Sequence, residues 1–167
     1  MAETANVLVH QAVLFCFFGL LAWAAVSDFR EYLIPNRVCL AIAGLYPAHV
    51  VASATPIDWP IAIAVALAAL VAGFALFAGK FVGGGDAKLL SAVALWAGPD
   101  LVLGFVLVTS LFGGILSIAM LKFMWAARPR EAGGARLSHF KVQVPYGIAI
   151  VAGGAYVGAR LFAVVAG

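Results

Sequence analysis

The chain has 167 residues, of which 65% are hydrophobic and 10% are charged, and its mean hydropathy is +1.11. These values exclude a soluble globular domain and indicate a membrane protein with at most about six or seven helical crossings, because each crossing needs roughly 20 apolar residues. The net charge of +3 comes from basic residues scattered between apolar runs, which argues against nucleic-acid binding and for orientation in a membrane.

Six charge-free apolar runs follow one another along the chain and predict an all-α polytopic membrane protein with about six transmembrane helices. The runs are 7–27, 38–57, 59–79, 89–99, 101–121 and 142–159. The first run lacks the basic start of a cleavable signal, so we predict that it is retained as a helix. Residues 1–167 are expected to form one transmembrane domain, with a cytoplasmic loop at 128–136 and no separate soluble domain.

The fourth run is too short to cross a bilayer by itself. Its eleven residues rise about 17 Å as a helix, so a crossing must recruit residues before Leu89. Nine of the ten Lys and Arg residues follow the first, third or fifth run, and they share one side of the membrane only if the fourth run crosses. By the positive-inside rule that side is cytoplasmic, and both termini are expected outside the cytoplasm.

Two aspartates stand out in so apolar a chain, Asp28 in SDFREYLIPN and Asp86 in FVGGGDAKLL. Both lie on the same predicted side of the membrane, and the short fourth run draws Asp86 towards the membrane surface or below it. A carboxylate there is costly unless it faces protein or a water-filled cavity. Two carboxyl groups that share one proton provide an acid and a base in one place, which can activate water for peptide hydrolysis.

The three glycines before Asp86 fit such a site. Gly83, Gly84 and Gly85 allow a close approach of backbone to backbone, which leaves room for an extended substrate. A phosphate-binding function of the same segment is excluded, because no Gly-Lys-Ser/Thr follows and the acidic residue would repel an anion.

The residues around the start of the second and fourth runs also have predicted roles. Pro35 ends the helical pattern after Asp28, and we expect Asn36 to cap the second helix. Lys88 is two positions after Asp86 and therefore points away from it on a helix. We expect the Lys88 side chain to reach towards lipid headgroups.

At these residues the sequence resembles the prepilin peptidases, membrane aspartyl proteases of the GxGD class. The matching residues are Gly83, Gly85, Asp86, Lys88 and Leu89 in one motif, Asp28, Ile34, Pro35 and Asn36 in a second, and Pro145, Tyr146, Gly147 and Ala149 in a third. The three motifs extend over nearly the whole chain. The resemblance implies that Asp28 and Asp86 are catalytic and that the other motif residues shape the site.

The resemblance further implies an aspartic-type endopeptidase in the bacterial cytoplasmic (inner) membrane, with its active site on the cytoplasmic side. The implied substrates are type IV prepilins or pseudopilins, cut after a glycine that precedes their hydrophobic helix. Larger family members carry an added cytoplasmic domain, often with paired CxxC motifs, and also methylate the new N-terminus. This chain is too short and has only two cysteines, so it resembles the peptidase-only branch of Flp-type tight-adherence pili, and methyltransferase activity is not expected.

The remaining noteworthy side chains are assigned structural roles. Cys16 and Cys39 lack CxxC spacing and are expected to pack as thiols, and we predict neither a metal nor another cofactor. His10 and His49 fall in separate apolar runs, so no histidine cluster is expected. A belt of aromatic residues at the membrane interfaces is predicted from Trp23, Trp59, Trp96 and Trp125.

Two other functions stay open from the residues themselves. In a small transporter, Asp86 and Lys88 would form a proton or ion relay within the membrane. In a non-catalytic scaffold of a pilus or secretion assembly, the two aspartates would only cap helices. Apart from prepilin substrates, membrane lipid is an expected partner, whereas nucleic acid is not, and the sequence leaves the oligomeric state open.

Overall fold

The apolar runs of the sequence form helices throughout the part of the chain that the structure, a computed structural model, describes: residues 2–126 and 146–166. Within these ranges there are five α-helices and no strand, which confirms the predicted all-α class. The helices are α1 (Ala2–Glu31), α2 (Asn36–Ala52), α3 (Trp59–Ala78), α4 (Gly84–Ala126) and α5 (Tyr146–Ala166). The loop predicted at 128–136 lies outside the described residues.

Four segments are long and apolar enough to cross a membrane. They are Asn6–Glu31, Trp59–Ala78, Gly84–Phe123 and Tyr146–Val165. Most of their side chains are not buried inside the protein, as expected for helices whose outer faces contact lipid. The chain is therefore a multi-pass membrane protein.

The fourth helix reverses its direction at Gly98. This residue has φ 55° and ψ −166°, a conformation that glycine adopts without the steric cost of a Cβ, and Pro99 follows it. Residues 84–97 run parallel to α5, whereas residues 99–126 return antiparallel to α5, so that Gly104 meets Tyr156. The helix that contains the short fourth run thus begins at Gly84, five residues before the run itself, as the length of the run required.

Small residues bring the central helices close together. A Cβ on Gly154 of α5 would be 3.0 Å from a methyl carbon of Leu21 on α1 and 3.3 Å from one of Val93 on α4. Both neighbours are fully buried, so the three helices meet around this glycine. The contacts also set the directions of the helices, with α1 antiparallel to both α5 and residues 84–97.

Trp96 belongs to this core and not to the interface belt predicted for it. Its side chain is 3% exposed, its ring stacks on Phe17 at a centroid distance of 4.3 Å, and its indole N–H donates to the carbonyl oxygen of Ile42 at 2.9 Å. The hydrogen bond satisfies the indole inside the bundle, which removes its need for a wet interface. The other three tryptophans are exposed.

The expectation that no histidines would cluster is also wrong. Nε2 of His10 and Nδ1 of His49 lie 2.8 Å apart in a hydrogen bond between two buried side chains. The packing of α1 against α2 brings the two rings together at the end of the bundle away from the start of α4. A cavity of about 330 Å³ at this end also contacts Asp58, Asp100 and Arg160.

Candidate active site

Asp28 and Asp86 line one cavity of about 750 Å³, at the end of the bundle where α4 begins. Asp28 lies in the last turn of α1 and Asp86 in the first turn of α4. Their side chains are 5% and 9% exposed, respectively. The fold thus brings together, in a nearly buried setting, two carboxyl groups that are far apart in the sequence.

Asp86 is held by the backbone just before its own helix. The N–H of Gly83 donates to Asp86 Oδ2 at 3.2 Å, and a Cβ on Gly83 would lie only 2.9 Å from the same oxygen. Gly83 immediately precedes α4, and Asp86 is the third residue of α4, so the contact is the backward half of a capping box. The carboxylate also lies at the positive end of the helix dipole, which favours negative charge there.

Gly85 allows the start of α4 to lie against the segment that follows α1. A Cβ on Gly85 would be 3.3 Å from the Cβ of Ile34 and 3.5 Å from its backbone N and O atoms. Gly84 faces a different neighbour, since its Cβ position is 3.4 Å from the ring of Phe77. A side chain at residue 85 would therefore press on the backbone of Ile34, whereas one at residue 84 would meet only the side chain of Phe77.

Gly147 plays the corresponding part beside Asp28. A Cβ on Gly147 would be 2.6 Å from Asp28 Oδ2 and 2.9 Å from the terminal methyl carbon of Ile34. The backbone N–H groups of Gly147 and Ile148, at the start of α5, face the same carboxyl group. Asp28 Oδ2 is buried, and no hydrogen bond to it is formed among the residues described.

Ile34 connects the two halves of the site. It is buried and contacts both Gly85 and Gly147, and so lies between the start of α4 and the start of α5. The turn that carries it is held by a hydrogen bond from Ser27 Oγ to the carbonyl oxygen of Leu33 at 2.7 Å. Sequence analysis gave Ser27 no role; its position next to Asp28 was the only signal.

The predicted roles of Asn36 and Lys88 need correction. Pro35, between the cavity-lining residues Ile34 and Asn36, is the residue before α2, and no side chain caps that helix by a hydrogen bond. Asn36 Oδ1 instead accepts a hydrogen bond from Lys88 Nζ at 2.9 Å, and both residues line the cavity. The Lys88 side chain thus reaches α2 rather than the lipid headgroups predicted for it.

Tyr146 lines the cavity and anchors the start of α5. Ser117 Oγ donates to the carbonyl oxygen of Gly113 at 2.7 Å, so the Tyr146 hydroxyl donates the 3.1 Å hydrogen bond between it and Ser117. These two hydrogen bonds fix Tyr146, and with it the adjoining Gly147, on residues 99–126 of α4. Ser117 was missed by sequence analysis, and Pro145 lies outside the described residues.

The arrangement can perform acid–base chemistry. Two carboxyl groups in one cavity can take a proton from water and give a proton to a leaving amine. Among residues 2–126 and 146–166, no group of three or more His, Cys, Asp or Glu side chains is placed to hold a metal ion.

Comparisons with known proteins give one match. Residues 15–118 match the model of the type IV leader peptidase family. The matched segment contains Asp28, Asp86 and the glycines before Asp86, and it ends before Gly147. Searches of the curated proteins and of the solved structures found no significant match.

Proposed function

Because the chain belongs to the type IV leader peptidase family, we propose that it is an aspartic-type endopeptidase that removes the N-terminal leader of Flp-like prepilins or pseudopilins. The observation that carries this proposal is the placement of Asp28 and Asp86 in one nearly buried cavity. Gly83, Gly84 and Gly85 line the cavity and add no side chain of their own to the space that a peptide backbone would enter.

In the proposed reaction the two carboxyl groups share one proton. The ionised group takes a proton from a water molecule, whose oxygen attacks the carbonyl carbon of the scissile peptide bond. The protonated group then gives its proton to the amine nitrogen as the C–N bond breaks, which leaves a carboxylic acid on the leader and a free amine on the mature protein. This water would lie between the carboxyl group of Asp28 and that of Asp86, whose Oδ2 accepts the hydrogen bond from Gly83.

We further infer six membrane crossings, because α2 and the two antiparallel parts of α4 each extend between the two ends of the bundle. The described basic residues support an orientation with the carboxyl pair on the cytoplasmic side of the inner membrane. Arg160 lies at the opposite end, and the others lie at the end that holds the pair: Arg30, Arg37, Lys80, Lys88 and Lys122. The start of α1 and the end of α5 would then face away from the cytoplasm.

The proposal is tested with the purified protein in liposomes together with a prepilin encoded in the same genome. We expect two products by mass spectrometry, the intact leader and a mature pilin with an unmethylated N-terminus. Proton or ion flux without cleavage would favour a transporter instead. Absence of both activities from correctly inserted protein would favour a scaffold.

A further inference from the structure

A second cavity, of about 360 Å³, lies beside the first and is built from regular helical stripes. The cavity is lined by residues three or four positions apart on two helices, within 36–43 of α2 and 88–95 of α4. Helix α3 adds Ala66 and Leu70 to the lining. Residues at this spacing share one face of a helix. The cavity is therefore a groove that follows the helix axes, and we call it the α2–α3 groove.

The α2–α3 groove opens sideways, towards the membrane. Along their described lengths α2 and α3 make almost no contact with each other, whereas α4 packs against both. A hydrogen bond from Ser91 Oγ to the carbonyl oxygen of Ala66, at 2.8 Å, fixes α3 on α4. Residues 84–97 of α4 thus form the floor of the groove, and α2 and α3 form its walls.

The groove adjoins the active-site cavity. Asn36 and Lys88 line both spaces, and the hydrogen bond between them lies at the junction. From this junction both stripes run away from the carboxyl pair, over about two helical turns or roughly 10 Å. A chain whose peptide bond lies at the carboxyl pair would pass this junction to enter the groove.

The lining of the groove suits a helix with apolar side chains. Ala43, Ala66 and Ala92 keep it open at the level where an entering helix would pack, and small residues favour close helix packing in membranes. Leu40, on the rim, is 70% exposed. The Ser91 hydroxyl is hydrogen-bonded to α3, and Asn36 and Lys88 lie at the end of the groove next to the active-site cavity, so the rest of the lining is apolar.

We propose that the α2–α3 groove docks the hydrophobic helix that follows the cleavage site of the substrate. This inference rests on the proposed peptidase function. The groove would hold the membrane-embedded part of the substrate and so present the peptide bond in front of it to Asp28 and Asp86. It would select substrates by the presence of an apolar helix, independently of the residues next to the cut.

The test compares two substrates and two matched variants. Ala43→Phe fills the groove, whereas Ala41→Phe adds the same ring to an exposed position of α2 outside it. For each protein kcat/KM is measured on the full prepilin and on a short peptide that spans the cut but lacks the hydrophobic helix. We expect the ratio of kcat/KM on the prepilin to kcat/KM on the peptide to fall about tenfold in Ala43→Phe, which corresponds to about 1.4 kcal/mol. In Ala41→Phe this ratio should stay within about twofold of the wild-type value.

Equal ratios in wild type and Ala43→Phe would overturn the groove as the docking site and leave the peptidase function standing. Cleavage of neither substrate by the wild type would instead overturn the proposed function itself. Photocrosslinking covers the case in which Ala43→Phe fails to fold. The probe is placed at Leu40 in the inactive variant Asp86→Asn, and we expect it to crosslink to the prepilin. The control probe at Leu103, an exposed position elsewhere, should give no such crosslink. A crosslink from Leu40 to lipid alone would overturn the proposal.

Discussion

A side chain on Gly147 would collide with the carboxyl group of Asp28, because its Cβ would lie 2.6 Å from Oδ2 and 2.7 Å from Cγ. Gly147, which belongs to the third sequence motif, thus contacts the Asp28 carboxyl group directly. The start of α5 is also tied to α4 through Tyr146 and Ser117, so the glycine has little freedom to withdraw. The position of the Asp28 carboxyl group depends on the absence of a side chain at residue 147.

We therefore predict that Gly147→Ala lowers kcat/KM for prepilin cleavage by about 100-fold, the effect typical of a reacting group displaced by about 1 Å. Gly114→Ala is the matched control, because nothing lies within 4 Å of its Cβ position and it also lies in a membrane helix. The measurement is the cleavage rate of equal amounts of inserted protein. Activity of Gly147→Ala at the control's level would contradict the proposed importance of this contact.

The two glycines in the first turn of α4 are expected to differ in their tolerance of a methyl group. Gly85→Ala presses on the backbone of Ile34 and should lower kcat/KM about tenfold by moving α4 away from the turn after α1. Gly84→Ala meets only the ring of Phe77, which can move, and alanine favours the helix. The kcat/KM of Gly84→Ala should therefore stay within about threefold of the wild type. A larger loss in Gly84→Ala than in Gly85→Ala would contradict the assignment of Gly85 as the confined glycine.

The contact between Lys88 and Asn36 predicts coupling between the two side chains. Lys88→Met and Asn36→Ala should each lower the free energy of unfolding by about 0.5 kcal/mol, since each removes the same hydrogen bond and that bond is exposed to solvent. The double variant should then lose little more than the larger single loss. Thermal unfolding in detergent measures all three, and strictly additive losses would show that the two residues do not interact.

The buried His10–His49 pair predicts an effect on stability alone. His49→Phe leaves His10 without its partner and should lower the free energy of unfolding by about 1–3 kcal/mol. Replacing both histidines by phenylalanine should cost less than this single change, because no unsatisfied polar group is left behind. Cleavage per folded molecule should be unchanged in all of these variants, since the pair lies at the far end of the bundle; a selective loss of cleavage would contradict that separation.

The placement of Asp28 and Asp86 at the same end of the bundle could be predicted from the sequence because it follows from topology, whereas their pairing in one catalytic site was implied by the resemblance. The distribution of basic residues required the short fourth run to cross, and the crossing required a helix that starts near Asp86. Both steps need only the lengths of apolar runs and the positions of charges. In the structure α4 begins at Gly84, and the two carboxyl groups line one cavity.

The contacts made by individual faces of the helices could not be predicted in the same way. Soluble helices reveal their buried face through alternation of polar and apolar residues, but these helices are apolar on nearly all sides. The sequence therefore contained no signal that Trp96 points inwards, that His10 meets His49, or that Lys88 turns towards Asn36. Each depends on the rotation of a helix about its axis, which packing decides.

The most direct test of the carboxyl pair is prepilin cleavage by Asp28→Asn and Asp86→Asn, beside the wild type and Asp58→Asn. Asparagine keeps the size of the side chain but removes its capacity to exchange a proton, and Asp58 is an exposed aspartate at the opposite end of the bundle. We predict that the wild type and Asp58→Asn remove the leader, and that Asp28→Asn and Asp86→Asn are at least about 100-fold slower although equally well inserted. Cleavage near the wild-type rate by either of these two variants would remove that aspartate from the mechanism and contradict the account.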